Sequence, residues 1–170
     1  RRQRHKITLQ LLESEATLNF ALEGANAGTW DWQVDRDTVE FSPRAQTMCG
    51  YAPGSWNGDM SSWQRLIHPD DIENVVTGLQ AQRMGLATVF KTEVRIRTKD
   101  NGWKWVLARG KTVSRDDDGN ALRVVGTQDD ISESVEDAET IARLLEEKSQ
   151  VLASAGDGIY GIDLQGRTTF

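Results

Sequence analysis

The stretch TVFKTEVRIRTKDNGWKWVLARGKTVSRDDDGNALRVVGTQDDI, residues 88–131, holds three runs rich in Val, Ile, Trp and Thr, separated by KDNG and RDDDGN. Both separators suit residues in left-handed or turn conformations, so the stretch reads as a three-stranded antiparallel meander. In the middle run Trp103, Trp105 and Leu107 share one parity, and Lys104, Val106 and Ala108 share the other. One face therefore carries large rings and the other is mixed. The ring face needs a cover, which the preceding residues are expected to supply.

Working outward, TWDWQVD and TVEFS read as two short strands joined by a tight turn at Asp35, Arg36 and Asp37. Between residues 42 and 64, Pro43, Gly50, Pro53, Gly54 and Gly58 permit only helices of one or two turns, which form a wall or lid over a sheet. A longer helix is expected over about Pro69 to Met84, with Asp70 and Asp71 capping its first turn and Ile72, Val75, Val76 and Leu79 as its stripe. Ile7, Leu11, Leu18 and Leu22 mark an amphipathic helix from about Thr8 to Glu23. After the meander, Val135, Ala138, Ala142, Leu145, Ser149 and Leu152 follow alternating steps of three and four, the seam of a linker helix able to pair as a coiled coil.

An offset of 130 residues places Gly158 on Gly28 and aligns VLASAGDGIYGIDLQGRTTF with ALEGANAGTWDWQVDRDTVE. The chain is thus expected to hold an N-terminal helical cap (residues 1–26), a complete module (27–131), a linker helix (132–153) and the opening of a second module (154–170). It starts without Met and stops in what reads as mid-strand, the pattern of a fragment of a longer protein.

Composition is that of a soluble globular protein: 38% hydrophobic, 27% charged, mean hydropathy -0.54. The net charge of -6 argues against nucleic acid, which needs a concentrated basic face. The single Cys49 excludes an internal disulfide and any CxxC motif, and fits a reducing, cytoplasmic compartment. No run of about 18 apolar residues is present. RRQRHK at the start reads either as a solvated helix start or as the flank of a preceding membrane helix, which would anchor the parent in the inner membrane.

The order of two strands, short helices, one longer helix, three strands and an exit helix, with GTWDWQVD, RLIHPDD and GWKWVLARGKTVSRDDDGNALRVVGTQDDISE, resembles the PAS domain with its C-terminal PAC segment. The resemblance covers roughly Ala27 to Ser132 and is most like the bacterial sensor subgroup with tandem modules ahead of an output domain. It implies an α+β fold: a five-stranded antiparallel sheet in the order 2-1-5-4-3, with helices over one face and a small central pocket. It also implies that Asp130, Ile131 and Ser132 relay a change in sheet or pocket to the linker helix. Glu93 and Arg109 match the family's paired strand charges and are expected to form a cross-strand ion pair.

Trp30, Trp32, Phe41, Met48, Val75 and Leu79 are the candidate pocket lining, with an unidentified small molecule as the candidate ligand. No cofactor is expected, haem and FAD being the alternatives the resemblance keeps open. His68 precedes Pro69 in a loop and reads as bonding backbone near the helix start rather than binding haem. TMCGYAPG lacks the NCRFLQ motif of the flavin-thiol members, leaving Cys49 as a small buried residue. Asp70 and Asp71 point about 100° apart, poor geometry for acid–base work, and Asp116, Asp117 and Asp118 with Gly119 make a turn rather than a calcium loop.

No metal site is expected, and no catalytic residue in the fragment itself. The function implied is sensory relay in a bacterial signalling protein, ahead of a diguanylate cyclase (GGDEF, with or without EAL) or, alternatively, a histidine kinase. The module is expected to homodimerise through its first and linker helices and to meet adjacent PAS and output domains of its own chain. A ligand-free dimerisation spacer and a haem- or flavin-based redox or gas sensor are the rival readings.

Overall fold

The computed structural model describes residues 2–56, 58–154, 165 and 167. The expected second module therefore lies almost wholly outside the described residues. The chain divides into two compact units, residues 1–132 and 133–170.

The first unit opens with α1 (Arg2–Gly24), followed by β1 (Gly28–Gln33), β2 (Thr38–Phe41), α2 (Pro43–Thr47), α3 (Met60–Gln64) and α4 (Ile72–Arg83). The meander closes it: β3 (Val89–Arg97), β4 (Trp103–Arg115) and β5 (Ala121–Asp130). The strands form one antiparallel sheet in the order β2-β1-β5-β4-β3. The order expected from the family resemblance is the one observed. The second unit starts within α5 (Ser132–Ser154), none of whose residues is buried.

The turn residues do what their chemistry permits. Asp37 and Asn101 sit at φ of 49° and 66°, and Gly119 at 87°, closing the β1–β2, β3–β4 and β4–β5 turns. Helix α1 runs six residues further toward the N-terminus than the apolar spacing predicts, because no Gly or Pro interrupts it before Gly24. Helix α4 starts at Ile72 instead of Pro69, and α2 and α3 are short, as the glycines and prolines around them require.

Which sheet face the helices cover differs from the expectation. The covered face carries Val106 and Ala108, each nearly inaccessible, together with Val94, Ile96 and Val124. Trp103, Trp105 and Leu107 lie on the outer face, where Trp103 is 42% exposed. The reason is the interior row Phe41, Trp30, Gly126, Gly110, Phe90, aligned across all five strands. The Trp30 indole lies over the two glycines, and a Cβ at Gly110 would stand 2.5 Å from its ring. Indole bulk contributed by β1 obliges β4 and β5 to present small residues inside.

Outside, cations cover the exposed rings. The Arg95 guanidinium sits 5.1 Å from the centre of the Trp105 ring, and that of Arg97 sits 5.4 Å from Trp103.

Replacing Trp30 with Ala is expected to cost about 3–5 kcal/mol, because the glycine bed cannot collapse into the void. Gly110→Ala is expected to cost about 1–3 kcal/mol by overpacking, and the double variant less than the sum, since the added methyl then meets empty space. Denaturant melts of the four proteins check this, and strict additivity contradicts the packing described.

Candidate functional site

The end of β5 and the start of α5 form a polar clasp on β4. Lys104 Nζ meets Asp130 Oδ2 at 2.8 Å. The other oxygen of Asp130 accepts the Ser132 backbone N–H at 3.1 Å, an N-terminal helix contact. Ser132 Oγ accepts the Trp105 N–H at 3.2 Å, while the Trp105 carbonyl accepts the Ile131 N–H at 3.0 Å. Three bonds thus pin three consecutive residues to two neighbours on β4, and a fourth links Ser132 back to Asp130.

Burial alone would raise the Asp130 carboxyl, but the bonds from Lys104 and Ser132 outweigh it and hold it below the usual carboxylate range. The sequence reading placed the relay on Asp130, Ile131 and Ser132 without its β4 partners. In the sequence Lys104 stands only as a member of the mixed face of its strand; the fold turns that face inward and sets Lys104 opposite Ile96 in the ladder.

The second polar anchor holds α4 to the sheet. Asp71 stands at the N-cap of α4 without capping it. Its carboxylate instead accepts from Arg95 Nη2 at 2.7 Å, Arg95 Nε at 2.9 Å and the Arg95 backbone N–H at 2.9 Å. Bonding by Arg95 is the main cause that depresses the Asp71 carboxyl. The expected capping role therefore belongs to a tie between α4 and β3, made across 24 residues and not visible in local spacing. His68 bonds backbone as expected, Nδ1 accepting the Asp70 N–H at 3.2 Å, and its ring meets Trp103 edge-on at 4.6 Å between centroids.

The expected Glu93–Arg109 ion pair does not form. Register puts Glu93 opposite Leu107 and Arg109 opposite Lys91. The Arg109 guanidinium turns instead to Asp129 on β5, at 3.2 Å. A strand ladder pairs charges by register, and these two are out of step by one pair of residues.

All six candidate pocket residues are buried. Trp30, Phe41 and Leu79, joined by Met60, Trp63 and Phe90, surround a void of only about 10 Å³. That is room for one water at most, against several hundred Å³ for a drug-sized ligand and more for a haem or a flavin. The interior as folded does not fit either cofactor. Trp32 belongs to a separate surface cleft of about 220 Å³ between the β1–β2 turn and α4, where its Nε1 donates to Asp37 Oδ1 at 3.2 Å. Met48 and Val75 line neither space and are plain core.

Cys49 is buried and its thiol is pushed up to about 11, chiefly by desolvation, which leaves it inert as a nucleophile. Sequence reasoning missed the interior amides. Gln46 is fully bonded, to the Phe41 and Ser42 carbonyls and the Trp56 N–H, while both amide atoms of Gln128 lack partners. Among the described residues no group of three or more His, Cys, Asp or Glu is arranged to hold a metal ion. No helix among them is long and apolar enough to cross a membrane.

The sheet order, the helices on one face and the β5–α5 exit define a PAS domain. The family model described as PAS fold matches residues 38–128, over half the chain, and the chain belongs to that family.

Among its relatives, it is 24% identical over 127 residues to the non-motile and phage-resistance protein of Caulobacter vibrioides, covering 73% of this chain and 15% of that protein. It is 29% identical over 117 residues to the sensor protein FixL of Bradyrhizobium diazoefficiens, covering 66% and 22%. The chain thus spans less than a quarter of these relatives' length.

A solved structure of a sensory box histidine kinase/response regulator from Burkholderia thailandensis superimposes with a TM-score of 0.67 at 26% identity, covering 78% of this chain and 98% of that one. The N-terminal domain of a diguanylate cyclase with PAS/PAC sensor from Marinobacter aquaeolei gives 0.56 at 24% identity, covering 64% and 97%. The second likeness speaks to fold.

Both depressed carboxyls make stability depend on acid. Their folded-state values lie below the unfolded Asp value of about 3.9, so their contribution is complete above about pH 4 and is lost as pH falls through the folded values. Asp71→Asn is expected to lower stability at neutral pH by about 2–3 kcal/mol and to lose less between about pH 4 and pH 3 than the parent does. Denaturant midpoints at both pH values check it, and an unchanged acid slope contradicts it.

Proposed function

We propose that this chain is the sensory and relay PAS module of a bacterial signal-transduction protein. Its state passes through the β5 exit and α5 into a following PAS domain and then a catalytic output domain. The observation that carries this reading is the clasp. Lys104 and Trp105 hold Asp130, Ile131 and Ser132 as part of the sheet, so a shift of β4 against β5 moves the first residues of α5.

Helix α5 has Ile141, Leu144, Leu145, Val151 and Leu152 exposed, an apolar surface that pairing with the same helix of a second copy would cover. A helix pair has few stable registers, so a small displacement biases it between discrete states. The output is of the diguanylate cyclase or histidine kinase class, in keeping with proteins carrying similar domains. We place the module in the cytoplasm, with the parent free or membrane-anchored.

The small interior void favours mechanical input over an interior ligand and gives the spacer reading its support. Relay and spacer part company at Asp130.

Asp130→Ala is expected to lower the stability of this chain by about 1–2 kcal/mol. In the full-length protein it should change output at a temperature where the protein stays folded. Val124→Ala, a core truncation costing about 1–3 kcal/mol, is expected to leave output nearly unchanged there. Output that tracks stability alike in both variants contradicts the relay.

A further inference from the structure

Between the β1–β2 turn, α3 and α4 lies the surface cleft of about 220 Å³, separate from the filled interior although Met60 and Leu79 line both. Its volume is below the several hundred Å³ of a drug-sized ligand site, so its occupant is small. Met60, Val76, Leu79 and the buried Trp32 give it an apolar floor.

The polar groups at its rim are largely free. The side chains of Gln64, Gln80 and Arg83 make no hydrogen bond or ion pair among the described residues. Asp37 accepts from Trp32 Nε1 through Oδ1 at 3.2 Å, and its Oδ2 has no partner there.

Asp37 and Arg83 stand at the same end of the sheet. The Val34 N–H donates to the Leu122 carbonyl at 2.9 Å, which sets the β1–β2 turn beside the start of β5. Gly85, just past the end of α4, abuts Gly119 in the turn that leads into β5. Both charges line the cleft, yet they do not pair with each other, so a gap is left between anion and cation. From Arg83 the cleft follows α4 back past Gln80 and Leu79 to Val76, about 10 Å along the helix axis. It thus joins a head of both charge signs to an apolar tail.

We infer that this cleft binds a free α-amino acid with an apolar side chain. The ammonium lies on Asp37, the carboxylate on Arg83, and the side chain along the floor toward Val76 and Met60, with Gln64 and Gln80 as further hydrogen-bonding groups. A simple carboxylate would satisfy Arg83 and set a like charge before Asp37, and a simple amine would do the reverse. A neutral apolar molecule would cover both charges and pair neither, which desolvation opposes. An α-amino acid carries its two charges on one carbon, as the two sides of the head require. Trp32, beside the head, stands opposite Val124 of β5, the strand that ends at Asp130. An effect of this ligand on output rests on the relay reading, whereas its binding does not.

The test is an NMR titration of the 15N-labelled 170-residue chain with L-leucine, 4-methylpentanoate, which lacks the ammonium, and leucinamide, which lacks the carboxylate. L-Leucine is expected to saturate by about 10 mM and to shift the amides of residues 37, 80 and 83 most, with both analogues roughly tenfold weaker. Asp37→Asn keeps an acceptor for Trp32 and tolerates the left-handed backbone of that turn. It is expected to weaken L-leucine roughly tenfold while leaving 4-methylpentanoate no weaker than in the parent, and Arg83→Gln to do the same for L-leucine against leucinamide. The spectra of the variants also report their folding.

No saturation by L-leucine, L-methionine or L-phenylalanine at about 10 mM overturns the inference and leaves the relay untouched. Shifts centred away from the cleft overturn it as well, as does L-leucine binding that neither variant weakens.

Discussion

The contact on which this domain depends is the indole of Trp30 laid flat across Gly110 and Gly126. A tryptophan in a sheet ordinarily pushes its neighbours' side chains apart, and here the neighbours have none. Phe41 and Phe90 close the row at its two ends, and Phe90 in turn packs on Gly78 of α4. The distance between sheet and helices is therefore set by one aromatic layer, and the space in which a PAS ligand would sit is filled by the chain itself. Trp30 Nε1 also donates to the Thr127 carbonyl at 3.3 Å, which ties the layer to β5 three residues before Asp130.

A filled interior changes where a signal can enter. A ligand that must open the core pays for the packing it displaces, whereas, on the proposed relay, forces on the outer face act on strands already coupled to the exit. The polar contacts are distributed accordingly. Asp71 fixes α4 to β3, Arg109 and Asp129 join β4 to β5, and Lys104 with Asp130 ends the series where α5 begins. Each of these is a charge-assisted contact between elements, so a shear of the meander is resisted along its length, and on the proposed relay it would reach α5 at Ser132.

Much of this was legible in the residues, and what was not has a physical reason. The meander showed itself because turn chemistry is local: Asn101 and Gly119 take positive φ where KDNG and RDDDGN announced it. The covered face of β4 was misread because alternation reports two faces without saying which is inside. Only the Trp30 ring, brought over from β1, decides that. Asp71 looked like a cap because sequence supplies charge and local spacing, and Glu93 and Arg109 were matched through the family resemblance; in both cases register and approach across the fold choose the partners. The relay triplet came from family resemblance, and its grip on Lys104 and Trp105 came only with the fold. The closed void among Trp30, Phe41 and Leu79 was likewise invisible, since a filled pocket and an open one have the same lining.

The central claim is that Ile131 and Ser132 belong mechanically to the sheet. Amide hydrogen exchange in the 170-residue chain, read residue by residue, tests it most directly. The expected result is that the Trp105, Ile131 and Ser132 amides exchange as slowly as the interior of β4 and β5, and that Lys104→Ala speeds these three selectively. If Ile131 and Ser132 exchange in the parent at the rate of the exposed amides of α5, the clasp does not hold and the relay has no mechanical link.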